Sequence, residues 1–333
     1  MATMDVFNSN AFETFTMASA LENIPHRPQF LGSLNLFTPR PVRTEVFAIE
    51  ERNGTIGLVQ TSERGAAPEQ RQNEKRNLRN FSTVRIAKAD TIRASELMNI
   101  RAFGSETELM QVQAEVLRRM AGPVGLRADI ELTWENMRLG AIQGEVTDAD
   151  GSTLIDWFNE FGVNRPGEIA FDLANAGYGD VKKKANQVIR QMSREAQGAM
   201  LPGTRVYALC GDNFYDDLTQ KEEVRETFLN TTPGAAERLR NEVGQAFDAI
   251  EYGNIVWVNY RGTDDNSTVA VDTDKARFFP VGAPGVFEVV WSPGEDFASV
   301  GAQGQPLYPL TVPDRDRNQW VNIELYSYPM FVC

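Results

Sequence analysis

Residues 320–333 read WVNIELYSYPMFVC. Within this stretch Val321, Ile323 and Leu325 alternate with Asn322, Glu324 and Tyr326, the two-residue period of a strand with one buried face. Soluble domains usually end in a frayed polar tail. Here the last dozen residues are mostly apolar or aromatic and finish at Cys333, so the stretch is expected to close a sheet whose other strands come from elsewhere in the chain.

The chain of 333 residues is long enough to bury a sizeable core and to form two or more lobes. Its apolar fraction of 42% and charged fraction of 24% are those of an ordinary globular protein. No apolar run approaches the roughly 20 residues that span a bilayer, so no membrane partner is expected. No Lys or Arg precedes Arg27 and no long apolar stretch accompanies it, which does not fit a signal peptide. The two cysteines, Cys210 and Cys333, suit a reducing compartment without a disulfide framework. A net charge of −13 argues against non-specific adhesion to DNA or anionic lipid.

Working back from the closing stretch, residues 1–40 carry isolated apolar anchors such as Phe15, Leu31, Leu34, Leu36 and Phe37 among prolines that favour extended backbone. TEVFAIEERNGTIGLVQT reads as two β runs around an Asn53-Gly54 turn, and FSTVRIAK as a third. At Ser105 the period changes. A capping box, Ser105 to Glu108, opens a helix with Leu109, Val112, Val116 and Met120 on one stripe. Ile130, Trp134, Met137 and Ala141 continue that stripe beyond Gly122-Pro123, where the proline should kink or break one long helix. Gly140 and Gly144 should end it, with two strands around Asp150-Gly151 to follow.

A second region begins near Asn164. DVKKKANQVIRQMSREAQ reads as a helix capped by Asp180, with Val181, Ala185, Val188, Met192 and Ala196 inward. TRVYALCG and NIVWVNYRG read as buried strands. GDNFYDDLTQKEEVRETFLN reads as helical, as does AAERLRNEVGQAFDAI through Ala236, Leu239, Val243, Phe247 and Ile250. Helices and strands mix without βαβ alternation, so the class is α+β.

Motifs that carry chemistry are nearly absent from the sequence. No Gly-Lys pair exists, which excludes a Walker-type loop, and there is no Gly-x-Ser-x-Gly or Cys-x-x-Cys. The single histidine, His26, would have to carry any zinc site or triad; a surface or docking role is the plainer reading. Asp148 and Asp150 lack the spacing of a calcium loop and fit a tight turn. Asp212, Asp216 and Asp217 suit a helix start. Cys210 reads as a small buried residue and Cys333 as a partly covered one. No cofactor, metal or catalytic residue is expected. Carboxylate-only active sites leave no motif, so a carboxylate-based metal-dependent enzyme stays open as an alternative.

Charge is uneven. Between Thr61 and Arg101 nine basic residues face five acidic ones. A solvated loop, a basic projection docking on the acidic surface of another copy, and a nucleic-acid tail are the three readings. Interleaved glutamates and scarce aromatics weigh against the last.

The stretches FTMASALENIPHRPQFLGSLNLF, AIEERNGTIGLVQTSERGAAP, TIRASELMNIRAFG, WENMRLGAIQGEVTDADG and GQPLYPLTVPDRDRNQWVNIEL resemble the major capsid protein E family of lambda-like tailed phages, in order along nearly the whole chain. The resemblance implies the Hong Kong 97-like capsid fold. It places an N-terminal arm at 1–40, a long β-hairpin (the E-loop) at 41–95, a peripheral domain with a spine helix at 96–164 and 291–333, and an axial domain at 165–290. It also implies a virion protein, assembled in the host cytoplasm. Its partners would be its own copies as hexamers and pentamers, with scaffold, portal and decoration proteins. The shell would enclose phage DNA without reading its sequence. An encapsulin-like compartment is the alternative within the fold. On this reading Arg64, Arg71, Lys75, Arg76, Arg79 and Arg85 are candidates for intersubunit contact, and Gly122 and Pro123 for a hinge in the spine helix.

Overall fold

The computed structural model describes residues 30–53, 75–98, 108–122, 124–196, 198–230, 249–260 and 269–333. His26, Arg64, Arg71, Pro123, the capping box at Ser105 and the helix expected through Ala236, Leu239, Val243 and Phe247 lie outside them. In chain order the elements begin with α1 (Phe30–Ser33), β1 (Thr38–Pro41), β2 (Val46–Asn53), β3 (Lys75–Ser82), β4 (Ile86–Arg93), α2 (Ala94–Met98), α3 (Glu108–Ala121) and α4 (Leu126–Gln143). There follow β5 (Glu145–Thr147), β6 (Thr153–Asp156), α5 (Trp157–Phe161), α6 (Asp180–Glu195), β7 (Arg205–Cys210), α7 (Asp212–Gln220) and α8 (Glu222–Asn230). The chain closes with β8 (Ala249–Tyr252), β9 (Ile255–Asn259), β10 (Ala276–Val281), β11 (Glu288–Trp291), β12 (Tyr308–Pro313), β13 (Trp320–Ser327) and β14 (Pro329–Val332).

The closing stretch serves two sheets rather than one. β13 lies antiparallel between β12 and β4, in register from Trp320↔Arg93 to Ser327↔Ile86. Its burial alternates as the sequence predicts, with Val321, Ile323 and Leu325 inward. After Tyr328 the chain joins a second sheet, where β14 pairs with β11 and β11 runs parallel to β1. Strands from both ends of the described chain therefore meet here.

Over these sheets lies the broken helix. Val116 and Met120 of α3 and Leu126, Ile130, Trp134, Met137 and Ala141 of α4 share one core with Ile323, Leu325 and Phe331, so the stripe stays in phase. It is not one bent helix, however. Gly125 takes extended backbone (φ −90°, ψ 172°) and starts a second helix. Gly140 does not end α4; it lies inside it, where a Cβ would come within 2.7 Å of the Glu145 carbonyl. Gly144, at φ +80°, ends it. The expected second strand near Asp150-Gly151 is short, because Asp156 accepts bonds from the Phe158 and Asn159 N–H groups and starts α5.

The four-stranded sheet, ordered β10-β7-β9-β8, comes almost wholly from one contiguous stretch. Its central strands are buried on both faces, which explains their unbroken apolar runs. Val206, Ala208, Cys210, Ile255 and Trp257 face a core with Val181, Ala185 and Val188 of α6 and Phe214 and Leu218 of α7. Tyr207, Leu209, Val256 and Val258 face the opposite core with Phe30 and Leu31 of α1 and Leu139 of α4. Ala249 and Ile250, expected to end a helix, instead open β8.

Candidate assembly interface

β2 pairs with β3, from Val46↔Ser82 to Asn53↔Lys75, and the expected run FSTVRIAK divides between β3 and β4 at residues 83–85. The expected turn at Asn53-Gly54 and the run after it lie outside the described residues from Gly54 on. Among the described residues, the base of this ribbon enters the core through Phe47, Ile49 and Phe81. Phe81 packs edge-on against Trp157 at 5.3 Å, and Trp157 stacks on Phe161 at 5.6 Å. Arg40 adds a bond to the Ala48 carbonyl at 3.2 Å and an ion pair with Glu288 at 3.5 Å. Eight residues per strand extend roughly 26 Å, so the far end of the ribbon stands away from its anchored base.

Two of the six expected contact residues are engaged within the subunit. The Arg79 guanidinium lies 5.8 Å over the Phe161 ring. Arg85 pairs with Glu295 at 3.2 Å and lies 4.9 Å over Tyr326. Lys75 and Arg76 occupy the distal end of β3.

At the break between α3 and α4, the Gly122 N–H donates to the Arg118 carbonyl at 2.8 Å and the Gly125 N–H to the Gly122 carbonyl at 3.0 Å. A Cβ on Gly122 would stand 2.3 Å from the Arg118 carbonyl oxygen. The end of α3 is held by Arg119, which donates to Glu115 at 2.8 Å, to the Thr91 carbonyl at 3.0 Å, to Asp90 at 3.3 Å and to Glu96. Arg118 grips Glu115 with two further bonds at 2.8 and 2.7 Å. The Arg118 bonds lower the Glu115 carboxyl to about 2, against the opposing effect of burial and with help from Arg119. This cluster ties α2, α3 and β4 together beside the break.

Two buried carboxylates join elements that are distant in sequence, and the sequence reading missed both. Glu135, on α4, accepts from the Leu31 N–H at 2.8 Å, the Gly32 N–H at 3.2 Å and the Tyr260 hydroxyl at 3.2 Å, with Arg138 at 3.4 Å. Burial raises its pKa, opposed by these donors. It fastens α1 to the long helix and to the end of β9. Glu223, on α8, accepts from the Gly179 and Val181 N–H groups at 2.8 and 2.9 Å and from the Tyr252 hydroxyl at 2.8 Å. It does the capping expected of Asp180, which is the first helical residue and accepts instead from the Gly177 N–H. An acidic residue beside Trp134 on an inward stripe was the available signal for Glu135; nothing local marks Glu223.

The other polar candidates resolve simply. Asp148 and Asp150 shape the β5–β6 turn through bonds to the Ala149 and Ser152 N–H groups. Asp212 is in the first turn of α7, but Asp216 and Asp217 are exposed within it rather than at its start. Cys210 is fully buried and burial pushes its thiol up; Cys333 is exposed by surface area, yet the atoms packed around its sulfur push its thiol up to about 11. Among the described residues no group of three or more His, Cys, Asp or Glu side chains is placed to hold a metal ion, and no helix is long and apolar enough to cross a membrane.

The model of the family described as Phage major capsid protein E matches residues 13–333. The chain is 22% identical to the major capsid protein of Salmonella phage Felix O1, over 95% of this chain and 92% of that one. It is 24% identical to the major capsid protein of Pseudomonas phage KPP10, over 92% and 89%. Among solved structures, the capsid of an empty GTA particle shares the fold at a TM-score of 0.50 and 11% identity, over 93% of this chain and 87% of that one. The architecture is thus the α+β, Hong Kong 97-like capsid fold.

Proposed function

The chain belongs to the phage major capsid protein E family, and from that premise we propose that its copies close, as hexamers and pentamers, into an icosahedral head shell around double-stranded DNA. The observation that carries this is the family match over residues 13–333, which leaves almost none of the chain for another role. As a capsid protein it belongs to the virion and associates with its own copies. Assembly would take place in the host cytoplasm with scaffold and portal proteins, and decoration proteins would bind the finished shell. The chain would carry no catalytic activity of its own.

The domains follow the same reading: an arm at 1–40, the E-loop at 41–95, a peripheral domain at 96–164 and 291–333, and an axial domain at 165–290. The anchored base and projecting end of the β2–β3 ribbon support the E-loop assignment, and β4 at its C-terminal end already pairs with β13. Residues Arg64, Arg71, Lys75 and Arg76 would meet acidic surface on the next copy. Each exposed pair contributes about 0–1 kcal/mol, multiplied by repetition around a closed shell. Gly122 and Pro123 form the hinge, since α3 and α4 meet at a glycine-lined break and not in a continuous helix. A negative net charge of −13 keeps the wall from adhering to packaged phosphate.

Electron microscopy of the purified protein tests the reading: closed shells are expected, and a small soluble oligomer overturns it. Shells loaded with an enzyme rather than DNA would point to an encapsulin-like compartment.

A further inference from the structure

On the outer face of the β12–β13–β4 sheet, opposite the buried Val321, Ile323 and Leu325, a cavity of about 210 Å³ opens between Gly294, Asp296, Tyr308, Leu310, Tyr326 and Tyr328, with Glu295 also on its lining. Drug-sized ligands need roughly 300–1,000 Å³, so this space suits a single side chain. Its walls are three tyrosine rings and one leucine. Its charge is negative, from Glu295 and Asp296, with Glu324 hydrogen-bonded to the Tyr326 hydroxyl.

Two observations give the charge a direction. The Asp296 Oδ1 atom is buried and has no hydrogen-bond partner, although an unpaired buried acceptor is costly to keep. One wall already shows what the site accepts: Arg85 of the same chain pairs with Glu295 at 3.2 Å and lies 4.9 Å over the Tyr326 ring. A cation over an aromatic face beside a carboxylate is the arrangement that Arg85 forms there. Arg85 meets Glu295 and the Tyr328 side chain and leaves the Asp296 Oδ1 atom without a partner.

We propose that this tyrosine-walled cavity receives a basic side chain, lysine or arginine, from a second copy of this chain. Charge complementarity selects the partner: the chain carries −13 overall yet concentrates nine basic residues against five acidic ones between Thr61 and Arg101. The cavity offers such a side chain rings for its methylenes and an unpaired carboxylate for its head. The inference rests on the capsid reading above, because it needs copies held side by side.

The test uses assembled particles of the full chain with a photo-crosslinking amino acid in place of Leu310. Irradiation is expected to give a covalent dimer in which the captured peptide of the other copy contains Lys or Arg. Asp296→Asn keeps the shape and removes the charge; with it the dimer yield should fall roughly tenfold, as for one lost charge-assisted hydrogen bond. Crosslinks confined to one chain, capture of a peptide without a basic residue, capture of a different protein, or an unchanged yield in Asp296→Asn would each overturn the proposal. In those cases shells still form and the capsid reading stands. Failure of the unmodified chain to form shells would overturn that reading, and this proposal with it.

Discussion

The four-stranded sheet and the two three-stranded sheets, axial and peripheral on the domain division proposed above, are built on opposite plans. All four strands of the axial sheet come from residues 205–281, with α6 just before that stretch and α7 and α8 within it. The peripheral sheets draw on residues 38–41, 86–93, 288–291 and 308–332, so each forms only when the ends of the chain are brought together. Local closure costs little loop entropy and non-local closure more. The peripheral region also gains from that cost, because a sheet made of distant segments ties arm, hairpin and long helix into one body. The contrast predicts that damage to the closing stretch should stay on its own side of the molecule.

The largest expected effect comes from removing residues 320–333. The cut takes the central strand of one peripheral sheet and the edge of the other, with Val321, Ile323, Leu325, Met330 and Phe331 all buried. At about 1.5–3 kcal/mol for each large apolar side chain, these five alone match the stability of a typical domain, about 5–15 kcal/mol. The truncated chain should be insoluble or lack a folded peripheral region. Limited proteolysis should still release a resistant fragment carrying β7 to β10, because Trp257, Phe171 and Phe214 pack without help from the lost strands. A soluble truncated chain that assembles normally would break the comparison at its root.

Glu135 tests the seam between the regions. Glu135→Ala strands the Leu31 and Gly32 N–H groups, the Tyr260 hydroxyl and Arg138 in a buried site. Removing one partner of such a cluster costs about 3–5 kcal/mol. Denaturant unfolding of the unassembled subunit should show a lower midpoint and an early loss of α1 from the axial face. Glu135→Gln, which keeps the shape, should lose less. Equal losses from the two variants would mean that cavity formation, not charge, dominates.

The two regions were unequally legible in the sequence. The axial strands could be found because five consecutive buried residues leave an apolar run, as in RVYALC and IVWVN. β13 could be found because one buried face leaves a period of two. Partners were invisible: nothing local says that Trp320 lies opposite Arg93, or that residues after Tyr328 change sheets. The pairing of β2 with β3 was equally hidden, since Phe47 and Phe81 enter a common core only when segments far apart in sequence meet. The buried carboxylates escaped for the same reason. Glu135 and Glu223 are ordinary helix formers until a backbone segment from far away offers its N–H groups.

Glu115 gives a smaller effect, read through pH. Its folded pKa, about 2, lies below the usual carboxylate value because Arg118 and Arg119 bind the charged form. Its stabilisation is therefore complete above about pH 4.3 and is lost as pH falls toward 2, amounting to at most about 3 kcal/mol. Subunit stability measured between pH 5 and 2 should fall less steeply in Glu115→Gln than in the unaltered chain. Identical slopes would mean that other carboxylates dominate acid unfolding.

The finest probe is the pair of cysteines, one in each region. Cys210 ends β7 fully buried, its sulfur 3.8 Å from the Ala208 carbonyl. Cys210→Ser places a hydroxyl among Trp257, Phe214 and Leu218, at a cost of about 1–3 kcal/mol if no good acceptor is reached. Cys333 follows β14 and is exposed and free. Cys333→Ser exchanges one small surface group for another, and surface changes of that kind stay within about 0.5 kcal/mol. Thermal unfolding of the two variants should separate them clearly, with shell yield unchanged in Cys333→Ser. A destabilised or assembly-deficient Cys333→Ser would show that this side chain is covered by a neighbouring copy in the shell.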